Sequence, residues 1–180
     1  MDTETSDTSK IKNAVQIHPP RFDQYITLVE DHDLSTAITQ QTSQAEKLLN
    51  SISEEQSHSR YAEGKWTIKE VVQHIIDAER VFTYRALAFA RKDSNILPSF
   101  DEKSYAAHSG ANRRSWKELT EEFLAVRKST RLLFNSFSAE DLCSTGRASD
   151  YETSVAAMAF ITLGHAAHHI NLIRERYLHR

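Results

Sequence analysis

Thr67-Ile-Lys-Glu-Val-Val-Gln-His74-Ile-Ile-Asp-Ala-Glu-Arg-Val-Phe82-Thr-Tyr-Arg-Ala-Leu-Ala-Phe-Ala90 is the stretch on which the reading of the fold turns. It opens as a capping box: the Thr67 hydroxyl can accept from the third amide of a helix while Glu70 reaches back to the first. Behind the cap, Ile68, Val71, Val72, Ile75, Ala78, Phe82, Ala86 and Phe89 recur every three or four residues. That period lays one continuous apolar stripe along a helix. A long amphipathic helix over 67–90 is therefore predicted, and it needs partners that cover its stripe.

Working outward, helical spacing recurs over about 34–52, 114–137 and 153–178. The connection over 91–110 contains Pro98 and is long for a bundle, as functional loops often are. Gly and Pro number only 4 and 3 in 180 residues, against roughly 12% in an average protein. A sandwich or barrel needs those residues at its turns, so the composition reads all-α. Four helices of this length make a four-helix bundle the natural architecture. Residues 1–20 are polar and end in Pro19-Pro20, and read as a flexible tail before a single domain over 21–180.

Charge and cysteine content narrow the setting. A net charge of -3 with both signs intermixed offers no basic face for nucleic acid. No apolar run approaches the 18 residues of a membrane span. The opening MDTETSDTSK lacks the basic and apolar regions of a secretory signal, and the single Cys143 suits a reducing compartment, so the cytoplasm is expected. No G-x-S-x-G, Walker A or G-x-G-x-x-G motif occurs.

Histidine is the unusual count, nine in all, with His165, His168 and His169 crowded together. On a helix His165 and His169 lie about 40° apart on one face, the spacing two imidazoles need to share a metal ion. His168 is turned by about 100° from His169 and cannot share that ion comfortably. His74, on the shoulder of the apolar stripe, is the best third donor. A surface pair of histidines is the plainer alternative. Ala166 stands where a metalloprotease motif would carry its glutamate, which excludes that base. Extending the wheel puts Arg176 on the face of the pair, a candidate anion contact. Asp77, Glu79, Arg80, Tyr84 and Arg85 form a dense polar set that reads chiefly as a solvated face, the alternative being buried ion pairs near the histidines or contacts to an anionic substrate; Cys143 reads as a structural residue. Imidazole ligands of ordinary basicity would release a metal as pH falls through about 6.

Gly64-Lys-Trp-Thr-Ile-Lys-Glu-Val-Val-Gln-His74, Tyr84-Arg-Ala-Leu87, Gly164-His-Ala-Ala-His-His169 and Arg174-Glu-Arg-Tyr177, in this order and separation, resemble the DinB-like superfamily over about residues 25–178. The resemblance implies a bundle of up-down-down-up topology with a long crossover. It also implies one divalent metal on His74, His165 and His169, and a homodimer. Relatives close to this pattern carry Glu where this chain has Ala166. Zinc or nickel suits three imidazoles, with iron or manganese also admitted. Three functions follow. The first is a transferase that activates a low-molecular-weight thiol for attack on a small-molecule substrate. The second is a hydrolase that uses water, and the third a non-catalytic metal-binding module. The transferase is ranked first, because no general base is evident beside the histidines and a thiol at about pKa 8.5 needs less help than water at 15.7.

Overall fold

The computed structural model describes residues 2–29 and 33–178, and side chains from residue 7 onward within them. Among the described residues the long helices are α1 (Asp2–Val15), α2 (Leu34–Asn50), α3 (Ile68–Ala90), α4 (Trp116–Asn135) and α5 (Val155–Leu172). A hairpin of β1 (Thr145–Ala148) and β2 (Tyr151–Ser154) precedes α5. Helices α2 to α5 form the bundle.

Local chemistry sets the helix starts. The Glu70 amide donates to the Thr67 hydroxyl at 3.1 Å, and the Thr67 amide donates to the Glu70 carboxylate at 2.7 Å, completing the box. Ser115 and Glu118 cap α4 reciprocally, and Asp33 accepts from the Thr36 amide at 2.7 Å. Each such cap is worth about 1 kcal/mol, enough to fix where a helix begins but not where it packs.

Helix directions follow from cross-contacts. The Trp116 indole donates to the Leu49 carbonyl, Arg127 reaches Thr42, and Asn135 reaches Ser35, so α2 and α4 are antiparallel. Lys69 donates to the Arg114 carbonyl, Arg80 pairs with Glu122 and Arg127 with Glu79, so α3 and α4 run parallel. Ile68 and Val71 share a core cluster with Ala166, Ile170 and Ile173, while Phe89 shares another with Val155 and Met158. Helix α5 therefore runs antiparallel to α3. The order is up-down-down-up, and residues 91–115 are the crossover that the parallel pair requires.

The structure departs from the sequence reading in several places. Residues 1–20 were expected as a flexible tail, yet 2–15 form α1, whose Ala14 and Val15 are buried against Ile38 and Phe160. The Ser154 hydroxyl donates to the Ala14 carbonyl at 2.6 Å and holds that end in place. The polar composition hid this because the packing falls in the last turn. The segment 145–154, for which helical spacing predicts nothing before about 153, forms a hairpin; Gly146 is required because a Cβ would collide with the Phe89 ring. The last helix ends in a wider i→i+5 turn over Ile173–Leu178.

Glu79 was read as solvated, but it is 2% exposed and paired at 2.9 Å with Arg127, itself 1% exposed. Arg127 also donates to Thr42 at 3.2 Å. Arg80 does lie outside, bound to Glu122 at 2.6 Å. Breaking a buried pair leaves an uncompensated charge, which typically costs about 3–5 kcal/mol, whereas replacing both partners with apolar residues is far milder. Arg127→Met is accordingly expected to lower the unfolding free energy by about that amount in urea titrations, and Glu79→Leu/Arg127→Met to recover most of the loss.

Candidate metal centre

His74 lies in the second turn of α3, and His165 and His169 lie one turn apart on α5. Antiparallel packing of these helices brings the three rings together. The ring centroids of His74 stand 4.9 Å from His165 and 4.7 Å from His169, and the last two are 4.5 Å apart. One ligand atom from each of the three falls within 4.8 Å of the others.

The donor set fits a divalent cation. The Nε2 atoms of His74 and His165 approach to 3.0 Å. Two nitrogens each about 2.0–2.1 Å from one ion stand roughly that far apart. The Nδ1 atom of His169 is buried and has no hydrogen-bond partner among the described residues. Buried polar atoms are normally satisfied, so an unpartnered nitrogen on one of three clustered imidazoles points to a bound ligand.

Burial also sets the protonation state. It pushes the His74 imidazole down to about 4, against a smaller upward pull from the Glu102 carboxylate. It pushes His169 to about 3, helped by the charges that His74 and His168 would carry, and takes His165 well below its ordinary value. All three are neutral at pH 7, the form that binds metal.

Aromatic rings enclose the cluster. Tyr25 packs edge-on against His165 and His168 at 5.3 and 5.5 Å, Trp66 lies 5.0 Å from His74, and Phe82 lies 5.5 Å from His165. Tyr25 reaches this place because Gly164 lets its backbone lie against α5; a Cβ at 164 would collide with the Tyr25 carbonyl. The Tyr177 hydroxyl donates to the Trp66 carbonyl at 2.7 Å and anchors that side. Beside the histidines opens a cavity of about 630 Å³, walled by Tyr25, Trp66, Phe82 and Phe100 and edged by Arg21, Arg85 and Glu102. Its size suits a small organic molecule.

Of the residues singled out in the sequence, His74, His165 and His169 converge, and His168 stays outside the cluster. Arg176 does not join them: it is exposed, and the histidine cavity is not lined by it. The wide turn over Ile173–Leu178 changes the angular step per residue, so the face extrapolated from His165 is lost there. Cys143 is half-buried with its thiol pushed up by burial, which suits a structural residue. Sequence reasoning gave no role to Tyr25, Glu102 or Arg21. A glycine immediately before His165 was the one local sign that another segment presses on the helix there.

The sequence profile of the DinB superfamily matches residues 37–173. A protein of Oceanobacillus iheyensis named "Putative metal-dependent hydrolase OB0413" is 30% identical over 88 residues, which are 48% of this chain and 50% of that protein. The match thus spans about half the length of this curated relative. The bundle superposes on YfiT of Bacillus subtilis with a TM-score of 0.66 at 16% identity, covering 86% of this chain and 84% of that one. YfiT is described as "a probable metal-dependent hydrolase with an unusual four-helix bundle topology".

Two outcomes are expected. His74→Ala, His165→Ala and His169→Ala each lose the bound divalent metal by elemental analysis, while His168→Ala keeps it. The second concerns pH. The unfolded chain takes up protons on these histidines near 6.5, and the folded chain only near 4 and 3. Between those values the unfolded state binds more protons, so metal-free stability falls as pH drops below about 6.5, by up to about 1.4 kcal/mol per pH unit for each group. Urea midpoints of chelator-treated protein at pH 7, 5.5 and 4.5 check this. The same burial shifts proton competition for the ligands downward, so metal retention is expected below the pH 6 of ordinary imidazoles.

Proposed function

The chain belongs to the DinB superfamily, and on that premise we propose that it is a metal-dependent hydrolase of a small organic substrate, with one divalent ion held by His74, His165 and His169. The observation that carries the proposal is the convergence of three neutral, buried imidazoles on one cavity. An ion held by neutral ligands keeps its full charge and, when bound, acidifies a nucleophile in the cavity and polarises the group under attack.

The chain's own residues complete the chemistry. Glu102 edges the cavity, and its charge acts on His74 and Tyr25. It is the carboxylate placed to take the proton that an attacking water loses, and to return it to the leaving group. Trp66, Phe82 and Phe100 form apolar walls that hold the substrate and limit bulk water. This carboxylate changes the ranking made from sequence, where no base stood beside the histidines. Thiol transfer remains the second reading: a thiol needs less help than water, and three neutral ligands favour an anionic sulfur. The nature of the metal, zinc or nickel before iron or manganese, stays part of the proposal, as do a homodimer and a cytoplasmic setting. No helix of the described residues is long and apolar enough to cross a membrane.

The deciding experiment is a panel of esters and amides, and of electrophiles with added thiols, run with metal-loaded protein. Glu102→Gln is expected to keep its metal and lose about 10²–10⁴-fold in kcat on the hydrolytic substrates, the usual contribution of a positioned proton acceptor. Turnover that strictly requires an added thiol, and is indifferent to Glu102→Gln, would replace hydrolysis by transfer. A homodimer would scatter light as twice the 20.6 kDa chain.

A further inference from the structure

Arg85 is 9% exposed, lies on α3 about three turns beyond His74, and edges the same cavity as the histidines. Its Nη2 donates to the Pro98 carbonyl at 2.8 Å, which ties the guanidinium to the crossover and fixes its plane. No carboxylate pairs with it among the described residues. Arg21 edges the same cavity, stacked at 5.0 Å over the Phe22 ring and 4.5 Å over the Tyr151 ring, and it too has no carboxylate partner among the described residues. Glu102 faces this cavity without forming an ion pair to either arginine.

Two like charges brought into one cavity repel. Burial first, and then the charge of Arg21, hold Arg85 below the ordinary arginine range. Charged side chains are almost never this buried unless paired, and an uncompensated buried guanidinium is destabilising. The structure tolerates the arrangement because both arginines are independently anchored, one by a carbonyl and one by two rings. Neither has an ion-pair partner among the described residues, since the Glu102 carboxylate of the same cavity pairs with neither, and the cavity has room for an anion.

We propose that Arg21 and Arg85 form an oxyanion-binding subsite, so that the substrate carries a carboxylate or phosphoryl group set apart from the bond that reacts at the histidine cluster. The inference rests on the proposed function for its catalytic meaning, but anion binding itself can be measured without turnover. The two arginines hold the anionic end, and the aromatic walls between them and the histidines cover the body of the substrate. A planar guanidinium already fixed on one side loses little freedom when it binds an oxyanion, and charge-assisted contacts of this kind are the strong ones. Arg85 and Arg21 are thus specificity-determining rather than catalytic residues.

The test is calorimetric titration of inorganic phosphate and, separately, of propionate into chelator-treated wild type, Arg85→Met, Arg85→Lys, Arg21→Gln and His165→Ala, each checked for helicity by circular dichroism. Metal-free protein is used because a bound ion would itself attract anions. Wild type and His165→Ala are expected to bind at least one of the two anions, and the one bound more tightly tells phosphoryl from carboxylate chemistry. Arg85→Met is expected to lose about tenfold or more of that affinity, the worth of one charge-assisted hydrogen bond, with Arg85→Lys intermediate. Arg21→Gln is expected to lose a smaller factor, and as an exposed substitution it keeps the test informative should Arg85→Met not fold. Affinity unchanged in Arg85→Lys and Arg21→Gln, or no binding of either anion to wild type, would overturn the subsite. Failure of the wild type to take up any divalent metal would overturn the proposed function and leave the anion result standing.

Discussion

Two consecutive helices that run parallel cannot be joined by a short turn, and α3 and α4 run parallel. The chain must travel the length of the bundle between Ala90 and Trp116, and on that path it lends one wall and one carboxylate to the cavity. Pro98 fixes Arg85, Phe100 walls the cavity and Glu102 brings a carboxylate to its edge. The crossover is pinned on its way: Leu97 exchanges backbone hydrogen bonds with Arg147 and Ser149 of the hairpin at 3.0 and 2.8 Å. Parallel packing is in turn held by the buried Glu79–Arg127 pair and by the Lys69 ammonium, which donates to the Arg114 carbonyl at 2.7 Å.

The antiparallel pair, α3 with α5, does the complementary work. It sets His74 against His165 in a region where water is excluded, and exclusion of water keeps imidazoles neutral. The site also holds polar groups without partners. Among the described residues one ring nitrogen of His169 has no hydrogen-bond partner, and neither arginine of the cavity has an ion-pair partner. Departures of this sort from local electrostatic comfort cluster at functional sites, since each is relieved by something the site binds. Here a cation would relieve one end of the cavity and an anion the other.

Packing outside the site shows why these features persist. Leu49, Ile68, Val71, Ile75, Leu119 and Phe123 close one end of the bundle, and Ala78, Phe89, Val155 and Met158 close the other. A core of that extent tolerates a few strained polar groups, because each costs a small share of what apolar burial contributes.

Much of this was legible in the residues alone. The cap at Thr67 and the stripe behind it determine α3; the period of three and four determines α4 and α5; the scarcity of glycine and proline determines the all-α class. The i,i+4 spacing of His165 and His169, and the inward shoulder occupied by His74, marked the cluster. These signals are local, and helical periodicity transmits them faithfully along one element. The signals that failed were those that depend on what another segment does. Periodicity carried Arg176 onto the histidine face, but the wide turn at the end of α5 removed it. Glu79 read as solvated because nothing near it in sequence shows that Arg127 lies across the α3–α4 seam. Tyr25, Arg21 and Glu102 come from segments without periodic pattern, and only the close approach at Gly164 and the path of the crossover bring them to the histidines. Sequence by itself determined the four bundle helices and the metal-binding spacing, since both follow from the geometry of a single helix. Tertiary structure decided which charges meet in the cavity, since burial and proximity between distant segments exist only once the chain has packed.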